Sequence, residues 1–151
     1  SDAYLKGAYA DFLLDQNRAR EVVPLLRGDE RNDALLLRLT LAEQRLPDEN
    51  ASFVRHKEEL AARFDAARRR GDSVHRREEA RFRLAIERDS DAALALARDN
   101  WAVQREPADL RILLEAAQST GAAEAVKVAT DWIAANRMED VVRAARAERT
   151  Q

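Results

Sequence analysis

The chain is 151 residues long, 46% hydrophobic and 36% charged, with a formal charge of −2 from 26 basic and 28 acidic side chains. That balance excludes a disordered tail and gives no overall field for nucleic acid or an anionic membrane surface; the lack of cysteine excludes a disulfide framework and a thiolate metal site. Three prolines and four glycines leave few places to break a helix, and the strong helix formers Ala, Leu, Arg and Glu dominate, so the expectation is an all-α chain.

Tyr4 to Asp15 carries Leu5, Ala8, Tyr9, Phe12 and Leu13 at helical spacing, which predicts a helix with that stripe as its apolar side. Asp15-Gln16-Asn17 turns the chain into a second helix, Ala19 to Arg27, with Val22, Val23, Leu25 and Leu26 on its apolar side. Pro24 removes a backbone donor inside it, so a late start or a kink is expected, and Gly28-Asp29 ends it. Asn32 or Asp33 caps a third helix to about Arg45, with Leu35, Leu36, Leu39, Ala42 and Leu46 inward. Pro47-Asp48-Glu49 breaks the chain, with Asp48 as the expected cap of the longest pattern, Asn50 to Arg70; Gly71-Asp72-Ser73 stops it. Val74 to Arg88 and Ala92 to Arg105 follow around a turn at Asp89-Ser90-Asp91. Pro107 suits the first turn of the next helix, to about Ser119, where its missing N–H costs nothing. Thr120-Gly121 leads into Ala122 to Ala135, with Glu124 placed to help cap its start and Asn136 as the expected C-cap. A ninth, polar helix spans Glu139 to Arg149.

Short turns between nine helices force antiparallel neighbours. The helices pair as hairpins at about 3–28, 30–70, 73–106 and 107–136, with 139–149 as a capping helix, in one domain over 1–151. The turns within pairs, Asn17, Pro47, Ser90 and Gly121, lie 30, 43 and 31 residues apart. Periods of this size mark helix-turn-helix solenoids, because one hairpin cannot bury its apolar face alone and the next one covers it.

Ala95, Ala102 and Pro107, with Phe82 and Ile86, carry a likeness to a known repeat. Over Arg76–Pro107 the chain resembles the tetratricopeptide repeat (TPR) family, whose second helix has two small positions and a terminal proline. Glu79 and Arg83 depart from its first-helix pattern. Gly121 with Ala125 and Val126, and Ala10 with Leu13 and Val22, extend the likeness to the fourth and first pairs; the second pair matches poorly. The resemblance implies a right-handed α-α superhelix of about four repeats. It also implies a non-catalytic protein–protein interaction scaffold, with the first helix of each pair lining a concave groove. Carried over by position, that groove shows Asp11, Leu14, Leu41, Gln44, Arg77, Arg81, Leu84, Glu87, Arg88, Arg111, Glu115 and Gln118. A subset of the family clamps an acidic C-terminal tail with two asparagines and several basic residues. Gly7, Asp11, Arg38, Arg77 and Arg81 fall on those positions here; the asparagines are missing, so that clamp is not expected. A basic groove still suits a carboxylate or an acidic peptide.

Other constellations weigh toward structure. Arg68 to Arg83 holds seven arginines, but they close one helix favourably and pair with Glu78 and Glu79 in the next. His56 and His75 have no partner at metal-ligand spacing, adjacent glutamates point about 100° apart, and Trp101 and Trp132 suit packing between repeats. We expect no metal, no cofactor, no nucleic-acid partner and no membrane insertion. The partner expected is a protein or peptide. The alternative is a structural segment that docks on neighbouring domains or, as a homodimer, on a second copy. The chain lacks an initial methionine and is expected to belong to a longer protein; whether that is cytoplasmic or periplasmic stays open. The surplus of arginine over lysine has the cast of a GC-rich bacterial genome.

Overall fold

A computed structural model describes residues 1–148, with side chains to Arg137. Those residues form eight α-helices and no strand: α1 (Asp2–Asp15), α2 (Ala19–Leu26), α3 (Asp33–Glu43), α4 (Asn50–Arg69), α5 (Arg76–Ala85), α6 (Ser90–Val103), α7 (Pro107–Thr120) and α8 (Ala123–Glu148). No described helix is long and apolar enough to cross a membrane.

Local chemistry explains most boundaries. Asn32 caps α3 by accepting from the Leu35 N–H at 3.1 Å, and Asp89 caps α6 by accepting from Ala92 at 3.0 Å. α7 has Pro107 in its first turn, a reciprocal capping box between Glu106 and Asp109, and Gly121 at φ 70° after its end. Other boundaries differ from expectation. Asp48 caps nothing: Pro47–Glu49 forms a 3-10 turn, and the Asp48 carboxylate takes Arg20 instead. α2 does not start late: it begins at Ala19 and carries Pro24 inside it. Pro24 has no N–H to give the Arg20 carbonyl four residues before it, and both residues lie on the exposed side of the helix. α5 ends at Ala85, because Arg88 sits at φ 57° and starts the turn. The expected break at Asn136 is absent. Its side chain donates to the Trp132 carbonyl at 2.8 Å, and α8 runs on as one helix. Without glycine or proline, Arg137-Met138-Glu139 favours helix, so eighth and ninth helices are one element. Arg149, the last residue of the expected capping helix, lies outside the described residues.

The odd-numbered helices make a contiguous row: α1 packs on α3, α3 on α5 and α5 on α7, while α2, α6 and α8 each lie against an odd neighbour. Two apolar clusters fill the interior. One gathers α1 to α4 around Leu36, Leu37, Leu60 and Phe64; the other gathers α6, α7 and α8 around Ala93, Ala97, Leu113 and Ala117. α5 serves both, with Phe82 and Ile86 in the first and Ala80 in the second. Phe82 lies 5.3 Å from Phe64 between ring centroids, and Trp101 meets Trp132 edge to face at 5.4 Å.

Two phases of the apolar pattern come out otherwise than expected. α1 buries Gly7, Ala10, Leu13 and Leu14, while Leu5, Ala8, Tyr9 and Phe12 face outward. On α6 the buried small residues are Ala93 and Ala97, and Ala95 and Ala102 are exposed.

Candidate partner-binding groove

The row of odd helices encloses a cavity of about 300 Å³. Its wall carries Asp11, Leu14 and Asp15 of α1, Arg38 and Leu41 of α3, Arg45 just after it, Arg77, Glu78, Arg81, Leu84 and Ala85 of α5, and Ala108, Arg111, Ile112 and Glu115 of α7. Helical spacing places these side chains: positions three, four and seven apart share one face, so each odd helix contributes a short strip.

Of the residues expected to bind, Arg77, Arg81, Arg111 and Glu115 line this cavity. Glu87, Arg88 and Gln118 do not. Glu87 is held by Arg83, Arg88 belongs to the α5–α6 turn, and Gln118 is exposed on α7 outside the cavity. Asp15, Arg45 and Glu78 were missed. Their signal lay in the same face periodicity, carried one turn further to the ends of α1, α3 and α5. Gln44, also expected in the groove, donates to the Ala85 carbonyl at 3.0 Å and ties α3 to α5.

The lining is an interlocked lattice of charges. Arg38 reaches Asp11 at 2.9 Å, Glu78 at 3.2 Å and the Gly7 carbonyl at 3.2 Å. A Cβ at Gly7 would sit 3.4 Å from the Arg38 Nε, so the missing side chain gives that guanidinium its room. Arg81 donates to the other Asp11 oxygen at 2.7 Å. Arg77 joins Glu106 at 2.8 Å to the buried Asp109 at 3.1 Å. Arg111 binds both oxygens of Asp15, at 2.8 and 2.7 Å, and Glu115 at 2.8 Å, linking the first helix to the seventh. That hydrogen bond, with the fields of Arg111, Arg81 and Arg45, holds the Asp15 carboxyl below its ordinary range against the opposing effect of burial. Arg45 differs: it donates to the Leu14 carbonyl at 2.9 Å and makes no ion pair among the described residues. Five arginines thus face four carboxylates in the cavity, and each carboxylate is already held by an arginine.

The remaining titratable groups singled out in the sequence serve the fold. His56 is buried, with Nδ1 3.0 and 2.9 Å from the two oxygens of Glu43. Burial pushes the Glu43 carboxyl above its ordinary value, opposed by the His56 hydrogen bond. Glu79 is buried between Arg68 and Arg83, each at 3.1 Å. No group of three or more metal-ligating side chains occurs among the described residues.

Compared with known proteins, the chain matches no family model, no curated protein and no solved structure.

Proposed function

We propose that this chain is a TPR-like interaction scaffold, a right-handed α-α superhelix that holds a protein or peptide partner in the groove of its odd helices. The observation that carries the reading is the cavity lined by α1, α3, α5 and α7 together. Its volume of about 300 Å³ is at the lower end for ligand sites and suits one or two side chains of an extended peptide. The α1–α3–α5–α7 row supports the superhelical arrangement, since a row of first helices is what successive stacked hairpins place side by side.

The lattice also suggests the chemistry of the partner. Each carboxylate in the cavity is engaged by an arginine, an arrangement that fixes shape and charge without holding a proton acceptor ready for catalysis. Arg45, bonded only to a backbone carbonyl, is where an incoming carboxylate gains a charge-assisted bond at least cost. The partner proposed is therefore an extended peptide with an aliphatic residue on Leu14, Leu41 and Leu84 beside an acidic residue on Arg45.

Selection of a random peptide library on the intact chain tests this. Recovered peptides should share an acidic residue next to an aliphatic one and lose binding to Arg45→Glu. Recovery of basic peptides, or binding unchanged by Arg45→Glu, would refute the reading.

A further inference from the structure

The outer side of α1 is the largest apolar surface left bare among the described residues. Leu5, Tyr9 and Phe12 are 67%, 49% and 49% exposed at i, i+4 and i+7, with the exposed Tyr4 one position off that line, whereas the other large exposed apolar residues are single valines spread over the chain. Tyr9 and Phe12 stack at 6.3 Å, so the patch is continuous.

The fold itself contains a covered version of this face. α1 and α7 end in the same way. Arg18 N–H bonds the Leu13 carbonyl and Asn17 the Leu14 carbonyl; Ala122 bonds Ala117 and Gly121 bonds Gln118. Asn17 and Gly121 have φ of 58° and 70°. Aligning these two residues pairs Leu5 with Asp109, Ala8 with Ile112, Tyr9 with Leu113 and Phe12 with Ala116. All four of the α7 residues are buried. They lie at i, i+3, i+4 and i+7; Asn100 of α6 reaches the first of them at 2.6 Å and Arg77 of α5 reaches it at 3.1 Å, so α6 and α5 cover this side together. The other side of α1, Ala10 and Leu13, is buried as its α7 counterparts Leu114 and Ala117 are buried or half-buried. α1 is therefore built like α7 but has no helix in the places of α5 and α6, of which α6 makes the larger contact.

We infer that α1 is a docking face for one amphipathic helix, the second helix of a helical hairpin, seated as α6 sits on α7 and presenting small residues as α6 does at Ala93 and Ala97. A second copy is a poor occupant, since the outward face of α8, over its described side chains, carries the exposed Glu124, Lys127 and Asp131. This inference is independent of the groove and its partner.

The test supplies such a helix to the whole chain. A copy of residues 76–104 is fused ahead of Ser1, which keeps the spacing of α6 to α7, with Asn100→Leu in the added copy because Leu5 stands where α7 has Asp109. The probe is nitration of the two tyrosines. Tyr4 aligns with the exposed Ala108 and serves as internal reference. Tyr9 nitration should slow by about tenfold or more relative to the unfused chain, with Tyr4 unchanged. Phe12→Glu in the fusion should restore the rate, and Phe12→Leu should not. The inference is overturned if Tyr9 reacts as before, whether or not the added residues gain helix. It is also overturned if the unfused chain dimerises in sedimentation and that dimer alone protects Tyr9, since the occupant is then a second copy.

Discussion

Replacing Asp109 with alanine should be among the most damaging single changes in the chain. Its side chain is fully buried and fills three roles at once. One oxygen accepts from the Asn100 amide at 2.6 Å and from Arg77 at 3.1 Å; the other accepts from the Glu106 N–H at 2.9 Å and closes the capping box of α7. Loss of a helix cap costs about 1 kcal/mol. Stranding the buried Asn100 amide and part of the Arg77 guanidinium adds about 1–3 kcal/mol for each group left unsatisfied. These terms share one carboxylate and are not additive, so we expect a total of about 3–5 kcal/mol, as for breaking a buried charged pair. That is a large share of the roughly 5–15 kcal/mol that holds a typical domain. Urea unfolding followed by circular dichroism measures it. The double variant Asn100→Leu/Asp109→Leu should recover at least half of the loss, because two apolar groups leave no buried donor stranded while Arg77 keeps Glu106. A loss below about 1 kcal/mol in Asp109→Ala, or a double variant no better than the single one, would refute the assignment of Asp109 as the polar centre of the α6–α7 contact.

Three further outcomes follow from contacts elsewhere. Pro24→Ala should stabilise the chain by about 1–2 kcal/mol in the same urea assay, since it restores the N–H to the Arg20 carbonyl in an exposed helix position. Glu43 has a raised carboxyl pKa in the folded chain, so its favourable contribution is full below the ordinary glutamate value and is lost as pH rises through the higher folded value. The wild-type chain should therefore lose stability relative to Glu43→Gln as pH rises above the ordinary glutamate value of about 4, visible as a growing gap in unfolding midpoints. Asp15→Ala should cost at most about 1 kcal/mol, because the Arg111 pair is half exposed and screened. Yet it should widen the α1–α7 distance, which spin labels on introduced cysteines can report without interference in a cysteine-free chain.

Much of the fold was legible where the local chemistry is self-contained. Pro107 and Gly121 bracket α7, and Asn32 and Asp89 cap helices, because each acts through bonds within a few residues of itself. The unbroken α8 was not legible, since Asn136 reads as a cap and only the absence of a turn residue after it argues otherwise. The outward stripe of α1 shows a different limit: spacing reveals that Leu5, Tyr9 and Phe12 share a face, but not whether a neighbour covers it. The groove was expected only from the resemblance, which puts the first helix of each pair on one surface; α1, α3, α5 and α7 do line one cavity. Arg88 and Gln118 were lost to it through helix phase and an early end to α5. The burial of Asp109, Glu43 and His56 was not legible, because the contacts that bury them, Asn100 and Arg77 on Asp109 and Glu43 on His56, come from other helices.

The division of the apolar interior into two clusters has a consequence for how the chain comes apart. Between them the apolar contribution is chiefly Phe82 and Ile86, and much of the remaining seam is ionic: Arg38–Glu78, Arg68–Glu79, Arg81–Asp11 and Arg111–Asp15. Salt screens such pairs while leaving apolar contacts intact. Urea, which is uncharged, should therefore melt both halves in one cooperative step, whereas guanidinium chloride should uncouple them and draw out two. The choice of denaturant would decide whether this molecule behaves as one cooperative unit or two.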